Sequence, residues 1–357
     1  VYYAESLTTK GLNTMTETHP GRPVVFVSLT GDEQVRSYDL NLDSGALNLR
    51  TTSDVHGPSG ALCLHPSGKI MYVAHVLSTT LASFQLDTDS GALTLINKVD
   101  TGIGIPAHQT TDRAGRFLLT AYYGGGGVTV HRLGDTGDIQ DLVQYIDTGE
   151  KAHAILSVCD DRYIIVPHVC PTNKTCQFHF DSETGQLAPN DPAELAPPDG
   201  ETGPRHICFR PQGDVAYIVN EQGNTVTAHR FDEARGTLEI FQNIPTLPAD
   251  YSEGGATAHV EVHPNGKWAY ASNRGHDSIV GFNIDAAGSL SPFGHVSVPA
   301  SPRSFNIDPT GAYLYCAGEG ADLMTAYRVD QNHGTLHPLA DYEVGKAPFW
   351  VMVTNLG

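Results

Sequence analysis

One tetrapeptide pattern recurs seven times along the chain and limits the possible folds more than any other feature. The pattern is x-Gly-x-Leu/Ile, from "SGAL" in the first copy to "HGTL" in the last. Successive copies are 46, 46, 48, 51, 52 and 46 residues apart. Because each copy lies between two runs of β-strand composition, as in "SFQLDTDSGALTLINKV", each predicts a hairpin turn. The glycines are Gly45, Gly91, Gly137, Gly185, Gly236, Gly288 and Gly334.

A second marker precedes the glycine in most copies. It is a Pro/Gly turn followed by a run of β-branched and aromatic residues, as in "HPSGKIMYVAH", "RPQGDVAYIVN" and "HPNGKWAYASN". Each unit therefore predicts four short strands in roughly 48 residues, which is typical of a propeller blade. Seven such units predict an all-β fold, a seven-bladed β-propeller with four antiparallel strands per blade.

The two ends of the chain predict how the ring closes. The run "APFWVMVTN" resembles a first strand without its three partners, whereas "RPVVFVSL" begins a set of three strands that lacks a first. We expect these N- and C-terminal strands to share one blade, because an open sheet edge invites aggregation. Residues 21–357 then form a single propeller domain, and residues 1–20 form an N-terminal extension outside the repeat pattern.

The charge of the chain excludes several classes of partner. With 40 acidic and 21 basic residues the net charge is −19, whereas nucleic acid and anionic membranes favour basic surfaces. No apolar run approaches the roughly 18 residues of a membrane span. We therefore expect no nucleic-acid partner, no membrane partner, and a monomer or weak homo-oligomer. An anionic substrate would have to meet a local cluster of arginines.

The cysteines and the N-terminal residues predict the compartment. Six cysteines are scattered along the chain without a CxxC pair, and the first residues lack the charged and apolar regions of a signal peptide. These features favour a cytoplasmic protein with reduced thiols. A bridge between Cys170 and Cys176 remains an open alternative.

The stretch "ATAHVEVHPNG" carries His259, Glu261 and His263 at alternate positions, where a strand would direct all three to one face. At first sight this suggests a metal site or an acid–base cluster. Alignment of the repeats separates the three residues. His263 falls immediately before the turn, which indicates a structural role. His259 aligns with His108 and His206 at the start of the innermost strand.

Charged and imidazole side chains recur where the inner strands should meet the central channel. Innermost strands of a propeller converge on the axis, so equivalent positions form a ring. A scaffold does not need charges there, and we predict a ligand site at the channel mouth, with solvated rim polarity as the alternative. The strand starts contribute His108, His153, Arg205, His206, His259 and Arg303. The ends of the second strands contribute Tyr123, Glu221, Arg274 and Glu319.

Other kinds of site lack their sequence signals. The segment "AYYGGGGVTV" does not have the residue order of a nucleotide-binding loop. The GxSxG motif of serine hydrolases is absent from the sequence. Neither a carboxylate-rich channel set nor clustered Cys/His ligands are present. We therefore expect no metal and no cofactor.

These residues resemble the cycloisomerase-2/lactonase propeller family, which includes propeller-type 6-phosphogluconolactonases and, more distantly, carboxymuconate cyclases. The matching segments are "GPRHICFRPQGDVAYIVNEQGNTV", "YASNRGHDSI", "SPRSFNIDPTG", "PAHQTTDRAGRF" and "GKAPFWVMV". The resemblance extends from about residue 21 to the C-terminus in one register. One departure is that the family pattern has acidic-x-His where this chain has His259-Val260-Glu261.

The resemblance implies hydrolysis of a sugar lactone to the aldonic acid, with 6-phosphogluconolactone or a related aldonolactone as the leading substrate. Its implied catalytic residues are His153, Arg205, Glu221 and Arg274. Either His153 or Glu221 could activate the water, while the arginines could stabilise the oxyanion or bind a substrate anion. Two alternatives stay open: a carboxymuconate-type cycloisomerase and a non-catalytic binding platform. Candidate substrate-binding residues are His108, Tyr123, His206, His259 and Arg303.

Overall fold

A computed structural model describes residues 21–198 and 200–357. These residues form 28 β-strands in seven separate four-stranded sheets. Neighbouring strands in every sheet run antiparallel. The predicted seven-bladed β-propeller is confirmed. The expected N-terminal extension, residues 1–20, lies outside the described residues.

The blades follow one another along the chain, with strands numbered in chain order. Blade one contains β28 (Pro348–Leu356), β1 (Arg22–Leu29), β2 (Gln34–Leu40) and β3 (Leu47–Asp54). Blade two contains β4 (Ser59–Leu64), β5 (Ile70–His75), β6 (Thr80–Leu86) and β7 (Leu93–Asp100). Blade three contains β8 (Pro106–Thr111), β9 (Phe117–Tyr122), β10 (Val128–Leu133) and β11 (Ile139–Ile146).

The remaining four blades have the same strand order. Blade four contains β12 (Leu156–Val158), β13 (Tyr163–His168), β14 (Lys174–Asp181) and β15 (Gln186–Leu195). Blade five contains β16 (Pro204–Phe209), β17 (Val215–Asn220), β18 (Thr225–Asp232) and β19 (Thr237–Pro245). Blade six contains β20 (Ala256–Val262), β21 (Trp268–Arg274), β22 (Ser278–Ile284) and β23 (Leu290–Ser297). Blade seven contains β24 (Pro302–Ile307), β25 (Tyr313–Gly318), β26 (Leu323–Val329) and β27 (Leu336–Glu343).

The ring closes in blade one, as the sequence predicts. Strand β28 pairs with β1 from Arg22 opposite Leu356 to Ser28 opposite Trp350. The C-terminal strand thus supplies the innermost position of this blade. First strands of adjacent blades contact one another around the axis, including β28 with β4 and β24 with β28.

The hydrophobic core lies between consecutive blades. Val25 and Val27 of blade one, for example, pack with Tyr315 and Ala317 of blade seven. The second strand of a blade is covered on both faces, and β5, β9, β13, β17 and β25 are buried at every residue. This accounts for the continuous apolar runs that the sequence shows after each Pro/Gly turn.

The repeated glycine of the hairpin turn has two structural reasons, as Gly236 shows. Its φ of +68° lies in the left-handed region, which side chains other than glycine rarely adopt. A Cβ atom at this position would also lie 2.2 Å from the ring of Tyr163, which begins the second strand of the preceding blade. The turn therefore packs directly on the neighbouring blade, and the glycine recurs wherever that contact recurs.

The structure also bears on two expectations from composition. Across the part of the chain that it describes, no helix is long and apolar enough to cross a membrane. All six cysteines are unpaired, so Cys170 and Cys176 do not form the bridge that the sequence left open.

Candidate active site

The site is built where the first strands start and the second strands end. The residue before several strand starts has a left-handed backbone, with φ of 57° at Ile105 and 57° at Ser301. Such conformations are strained for residues other than glycine and cluster at functional sites. The carbonyl of Ile105 accepts a hydrogen bond from the Tyr123 N–H at 2.8 Å, and the carbonyl of Ser301 accepts one from the Glu319 N–H at 3.1 Å. These bonds fix the side chains at the mouth of the channel.

Blade five places two consecutive side chains at the channel. The pairing of β16 with β17 is irregular between Pro204 and Ile207, which leaves Arg205 and His206 in a bulge. A bulge interrupts the alternation of side chains along a strand. Both residues therefore contact other residues of the channel instead of pointing to opposite faces.

The centre of the site is an ion cluster in which two arginines share one carboxylate. Oε2 of Glu221 lies 2.8 Å from Nε of Arg205 and 2.8 Å from Nη2 of Arg274. The side chain of Arg205 is only 2% exposed, against 13% for Glu221 and 15% for Arg274. Arg205 also donates to the carbonyl oxygen of Ala258 in blade six. The cluster joins blades five and six at the mouth.

Burial and charge act in opposite directions on this cluster. Burial and then repulsion from Arg274 lower the pKa of Arg205 to about 9, against the attraction of Glu221. Burial alone would raise the pKa of Glu221, but Arg205 and Arg274 outweigh burial and hold that pKa below its ordinary value. The carboxylate is therefore ionised at neutral pH, and one positive charge of the cluster is left unneutralised.

Blade seven adds a more exposed ion pair beside this cluster. Arg303 donates through Nε to Glu319, and their side chains are 28% and 27% exposed. The guanidinium carbon of Arg303 lies 5.3 Å from the ring centre of Phe349. Arg303 is thus held at the mouth with one face available to a ligand.

His153 lies in blade four, next to blade five, which carries Arg205 and Glu221. Its side chain is buried, and its ring lies 5.6 Å from that of Tyr123 and 5.0 Å from that of His206, measured between ring centres. Its Nδ1 atom is buried without a hydrogen-bond partner. Burial, followed by the charges of Arg205 and Arg274, lowers the pKa of His153 well below its ordinary value. His153 is therefore a neutral imidazole with a free ring nitrogen.

A lysine that the sequence did not single out completes this side. Nζ of Lys151 lies 4.0 Å from the centre of the Tyr123 ring, within the range of a cation–π contact. Tyr123 thus lies between a cation and His153. The position of Lys151, two residues before His153 at the start of blade four, was the available signal.

Below the mouth, histidines from three blades surround one tryptophan. The ring centre of Trp350 is 5.4 Å from that of His108, 5.8 Å from that of His206 and 5.9 Å from that of His259. Sequence reasoning missed Trp350 as a residue of the site. The signal was present, because "KAPFW" in the C-terminal strand aligns with "SPRS" in blade seven.

The three residues of the His-x-Glu-x-His stretch divide as the repeat alignment predicts. Nε2 of His263 donates to the carbonyl oxygen of Gly311 at 2.8 Å, in the turn between β24 and β25. His259 and Glu261 face the channel and lie 3.1 Å apart, from Nε2 to Oε1. His263 is therefore structural, whereas His259 and Glu261 belong to the channel.

The structure brings the predicted site residues together around one channel. The ion cluster and Arg303 line the mouth, His153 and Tyr123 adjoin them from blades four and three, and the remaining histidines lie below. No group of three or more His, Cys, Asp or Glu in residues 21–198 and 200–357 is arranged to hold a metal ion. The expectation of a metal-free site stays a prediction.

Comparison with known proteins identifies the family. The sequence profile described as "Lactonase, 7-bladed beta-propeller" matches residues 17–353. The chain belongs to the seven-bladed β-propeller lactonase family. The resemblance drawn from the sequence and the predicted class of lactone hydrolase are confirmed.

Individual proteins that are similar to this chain are also named as lactonases. A 6-phosphogluconolactonase of Pectobacterium carotovorum is 35% identical over 254 residues, which are 71% of this chain and 76% of the relative. One from Yersinia pestis is 34% identical over 251 residues, 70% of this chain and 74% of the relative. A periplasmic gluconolactonase of Pseudomonas aeruginosa superposes with a TM-score of 0.87 at 22% identity, covering 94% of this chain and 99% of that one. The last likeness supports the fold alone.

Proposed function

We propose that this lactonase hydrolyses 6-phosphogluconolactone or a closely related aldonolactone at the channel mouth. The observation that carries the proposal is the cluster of Arg205, Glu221 and Arg274, in which two guanidiniums share one carboxylate. The Pectobacterium and Yersinia relatives, whose names specify the phosphorylated lactone, support this substrate.

The local charge of the mouth favours an anionic substrate. Three arginines and Lys151 supply four positive charges, and Glu221 and Glu319 supply two negative charges, which leaves a net charge of +2 at the mouth. The chain as a whole carries −19. A phosphate is therefore attracted to this position and repelled from the remaining surface. Guanidinium groups also match the geometry of phosphate oxygens.

We assign activation of water to His153 and not to Glu221. Both oxygens of Glu221 already accept hydrogen bonds, Oε2 from Nε of Arg205 and Oε1 from Gln222 at 3.1 Å, and Oε2 is also ion-paired with Arg274. His153 is neutral and has a free Nδ1. A bound phosphate dianion would offset the arginine charges that disfavour protonation of His153.

The reaction then follows from these positions. The oxygen of a water molecule attacks the lactone carbonyl carbon while His153 takes a proton from that water. The negative charge that develops on the carbonyl oxygen is stabilised by Arg205 and Arg274. The ring C–O bond breaks, and the departing oxygen takes the proton from His153. The product is an open-chain aldonate, and its carboxylic acid releases one proton to solvent at neutral pH.

A pH-indicator assay over a small set of lactones tests the proposal. The set contains 6-phosphogluconolactone, gluconolactone, galactonolactone and a muconolactone, each with and without EDTA. We expect the phosphorylated lactone to be turned over fastest and EDTA to have no effect. Arg303→Ala should raise KM for the phosphorylated lactone more than for gluconolactone, because only the former carries the phosphate.

Arg230→Ala serves as the control variant for this assay. Arg230→Ala removes an exposed arginine of β18 that lies over Phe241, 4.8 Å from its ring centre, away from the mouth. It should leave all rates unchanged. Turnover of the muconolactone alone would instead favour the cycloisomerase alternative. No turnover above the spontaneous rate with any lactone would favour the binding platform.

We further propose a cytoplasmic location and a monomer or weak homo-oligomer. Six unpaired cysteines support a reducing compartment, and a ring that closes on its own terminal strands needs no partner to cover a sheet edge. Cell fractionation and light scattering of the purified protein test the two statements. A periplasmic location, as in the Pseudomonas relative, would be the contrary result.

A further inference from the structure

A chain of polar contacts runs down the channel from the ion cluster to Glu261. Nη1 of Arg205 lies 3.4 Å from Nε2 of His206. Nδ1 of His206 lies 2.7 Å from Nδ1 of His259. Nε2 of His259 lies 3.1 Å from Oε1 of Glu261. The chain therefore begins at a group that only donates hydrogen bonds and ends at one that accepts them.

The lower end of the chain has a definite direction. Oε2 of Glu261 accepts the N–H of Ile307 at 3.0 Å, and Oε1 accepts from Nδ2 of Asn306 at 2.5 Å. The orientation of the Asn306 amide is set by Val353, whose N–H donates to Oδ1 at 2.6 Å. Since the carboxylate serves these donors as an acceptor, Nε2 of His259 carries a proton and donates to it.

The upper end is compatible with this direction. Nη1 of Arg205 can only donate, and it lies almost equally far from Nε2 and Nδ1 of His206, at 3.4 Å and 3.5 Å. Nδ1 of His206 is engaged with His259. The nitrogen of His206 that is left for Arg205 is therefore Nε2. His206 is only 4% exposed and neutral, since burial and then Arg205 hold its pKa well below the ordinary value.

The lower end determines the rest of the chain. With its proton on Nε2, His259 accepts through Nδ1, so Nδ1 of His206 carries a proton and donates it to His259. A neutral His206 then has a bare Nε2, which is left to accept from Arg205. The rings of Phe305 and Trp350, centred 5.0 Å and 5.9 Å from that of His259, hold this imidazole in place.

We propose that Glu261 is a positioning residue for the hydrolysis. Through His259 it holds His206 in the Nδ1–H tautomer, which presents an acceptor to the guanidinium that stabilises the oxyanion. The inference rests on the function proposed above for Arg205. Glu261 touches neither the ion cluster nor the mouth, and its effect reaches the substrate through two imidazoles.

Two variants separate this role from simple packing. In Glu261→Gln, an amide nitrogen replaces Oε1 and faces two donors, Asn306 and His259. In the double variant Glu261→Gln/Asn306→Asp, the new carboxylate at 306 accepts from that amide, which restores the local bonding. In both variants the glutamine donates to Nε2 of His259. The proton of His259 then moves to Nδ1 and that of His206 to Nε2, so His206 directs an N–H towards Arg205. Glu239→Gln, on exposed β19, is the matched control.

The readouts are ¹⁵N NMR of histidine-labelled protein without substrate, thermal unfolding, and steady-state kinetics. In the native protein we expect His206 as the Nδ1–H tautomer and His259 as the Nε2–H tautomer, with assignments made by His206→Gln and His259→Gln. Both variants of Glu261 should reverse the two tautomers. Their kcat should fall by about 10- to 100-fold, the effect found when the hydrogen-bond partner of a metal-binding histidine is removed. The double variant should regain the native Tm but not the native kcat.

Other results overturn the proposal. An Nε2–H tautomer of His206 in the native protein contradicts it directly, as do unchanged tautomers in Glu261→Gln. Recovery of kcat together with Tm in the double variant would reduce Glu261 to a packing role. Because the NMR measurement uses no substrate, it remains decisive even if the preferred lactone differs from the one proposed. In that case kcat is measured on the lactone that is turned over.

Discussion

Replacing Arg274 with alanine should abolish most of the activity while leaving the fold nearly as stable as before. Arg274 and Arg205 both contact Oε2 of Glu221 at 2.8 Å, so two cations share one anion. Removing Arg274 leaves a one-to-one pair between the buried Arg205 and Glu221. The substitution therefore takes away an ion contact and a repulsion at the same time.

The magnitudes follow from the positions of these groups. A partly exposed ion pair contributes up to about 1 kcal/mol, and loss of the repulsion that acts on the pKa of Arg205 offsets part of this. We expect Tm to change by less than about 2 °C in a chain of this size. A preorganised donor to a developing oxyanion contributes far more, and its removal should lower kcat by about 10²- to 10³-fold, or roughly 3–4 kcal/mol.

The assay combines kcat and KM from lactone hydrolysis with calorimetric unfolding, using Arg230→Ala as the control. A variant whose kcat/KM stays within about threefold of the native value, less than 1 kcal/mol, would refute the role of Arg274. A fall in Tm well beyond about 2 °C that Arg230→Ala does not share, combined with full activity, would show that the charge argument is wrong in both parts.

Three further predictions follow from the same structure. Glu221→Gln should destabilise the fold by about 3–5 kcal/mol in denaturant unfolding, because it leaves two guanidiniums without a counter-charge; an unchanged unfolding midpoint would contradict this. Gly236→Ala should lower the free energy of unfolding by about 2–4 kcal/mol, because backbone strain adds to the clash with Tyr163. Gly68→Ala, at φ +69° with open space around it, should lower it by only about 1–2 kcal/mol, from strain alone. Equal losses would show that the contact between blades does not matter. The free energy of unfolding should also fall as pH drops from about 6.5 towards 4. In this range histidines of the unfolded chain bind protons, whereas the buried histidines of the folded protein stay neutral. A Tm that does not change across this range would contradict the prediction. Burial lowers the pKa to about 4 at His75, His108, His131, His168 and His229.

Much of the site was accessible from the sequence because the fold is a repeat. Aligned copies occupy equivalent places around the axis, so unusual residues at one position must converge. Arg205 and Arg303 at strand starts, and Glu221 and Arg274 at strand ends, were selected in this way. Trp350 was not recognised as a site residue, because its strand comes from the C-terminal end of the chain and was interpreted only as the strand that closes the ring.

The sequence by itself determined the local structure of this protein: the hairpins, the four-strand unit, the number of units and the shared first blade. These depend on turn chemistry and on apolar patterning between residues that are near one another in the chain. Tertiary structure alone decided which charges meet. Glu221 and Arg274 are far apart in sequence, and their contact depends on the angle between two blades. The direction of the chain from Arg205 to Glu261 likewise depends on the bulge in β16 and on distances of a few tenths of an ångström, which no pattern of residue types specifies.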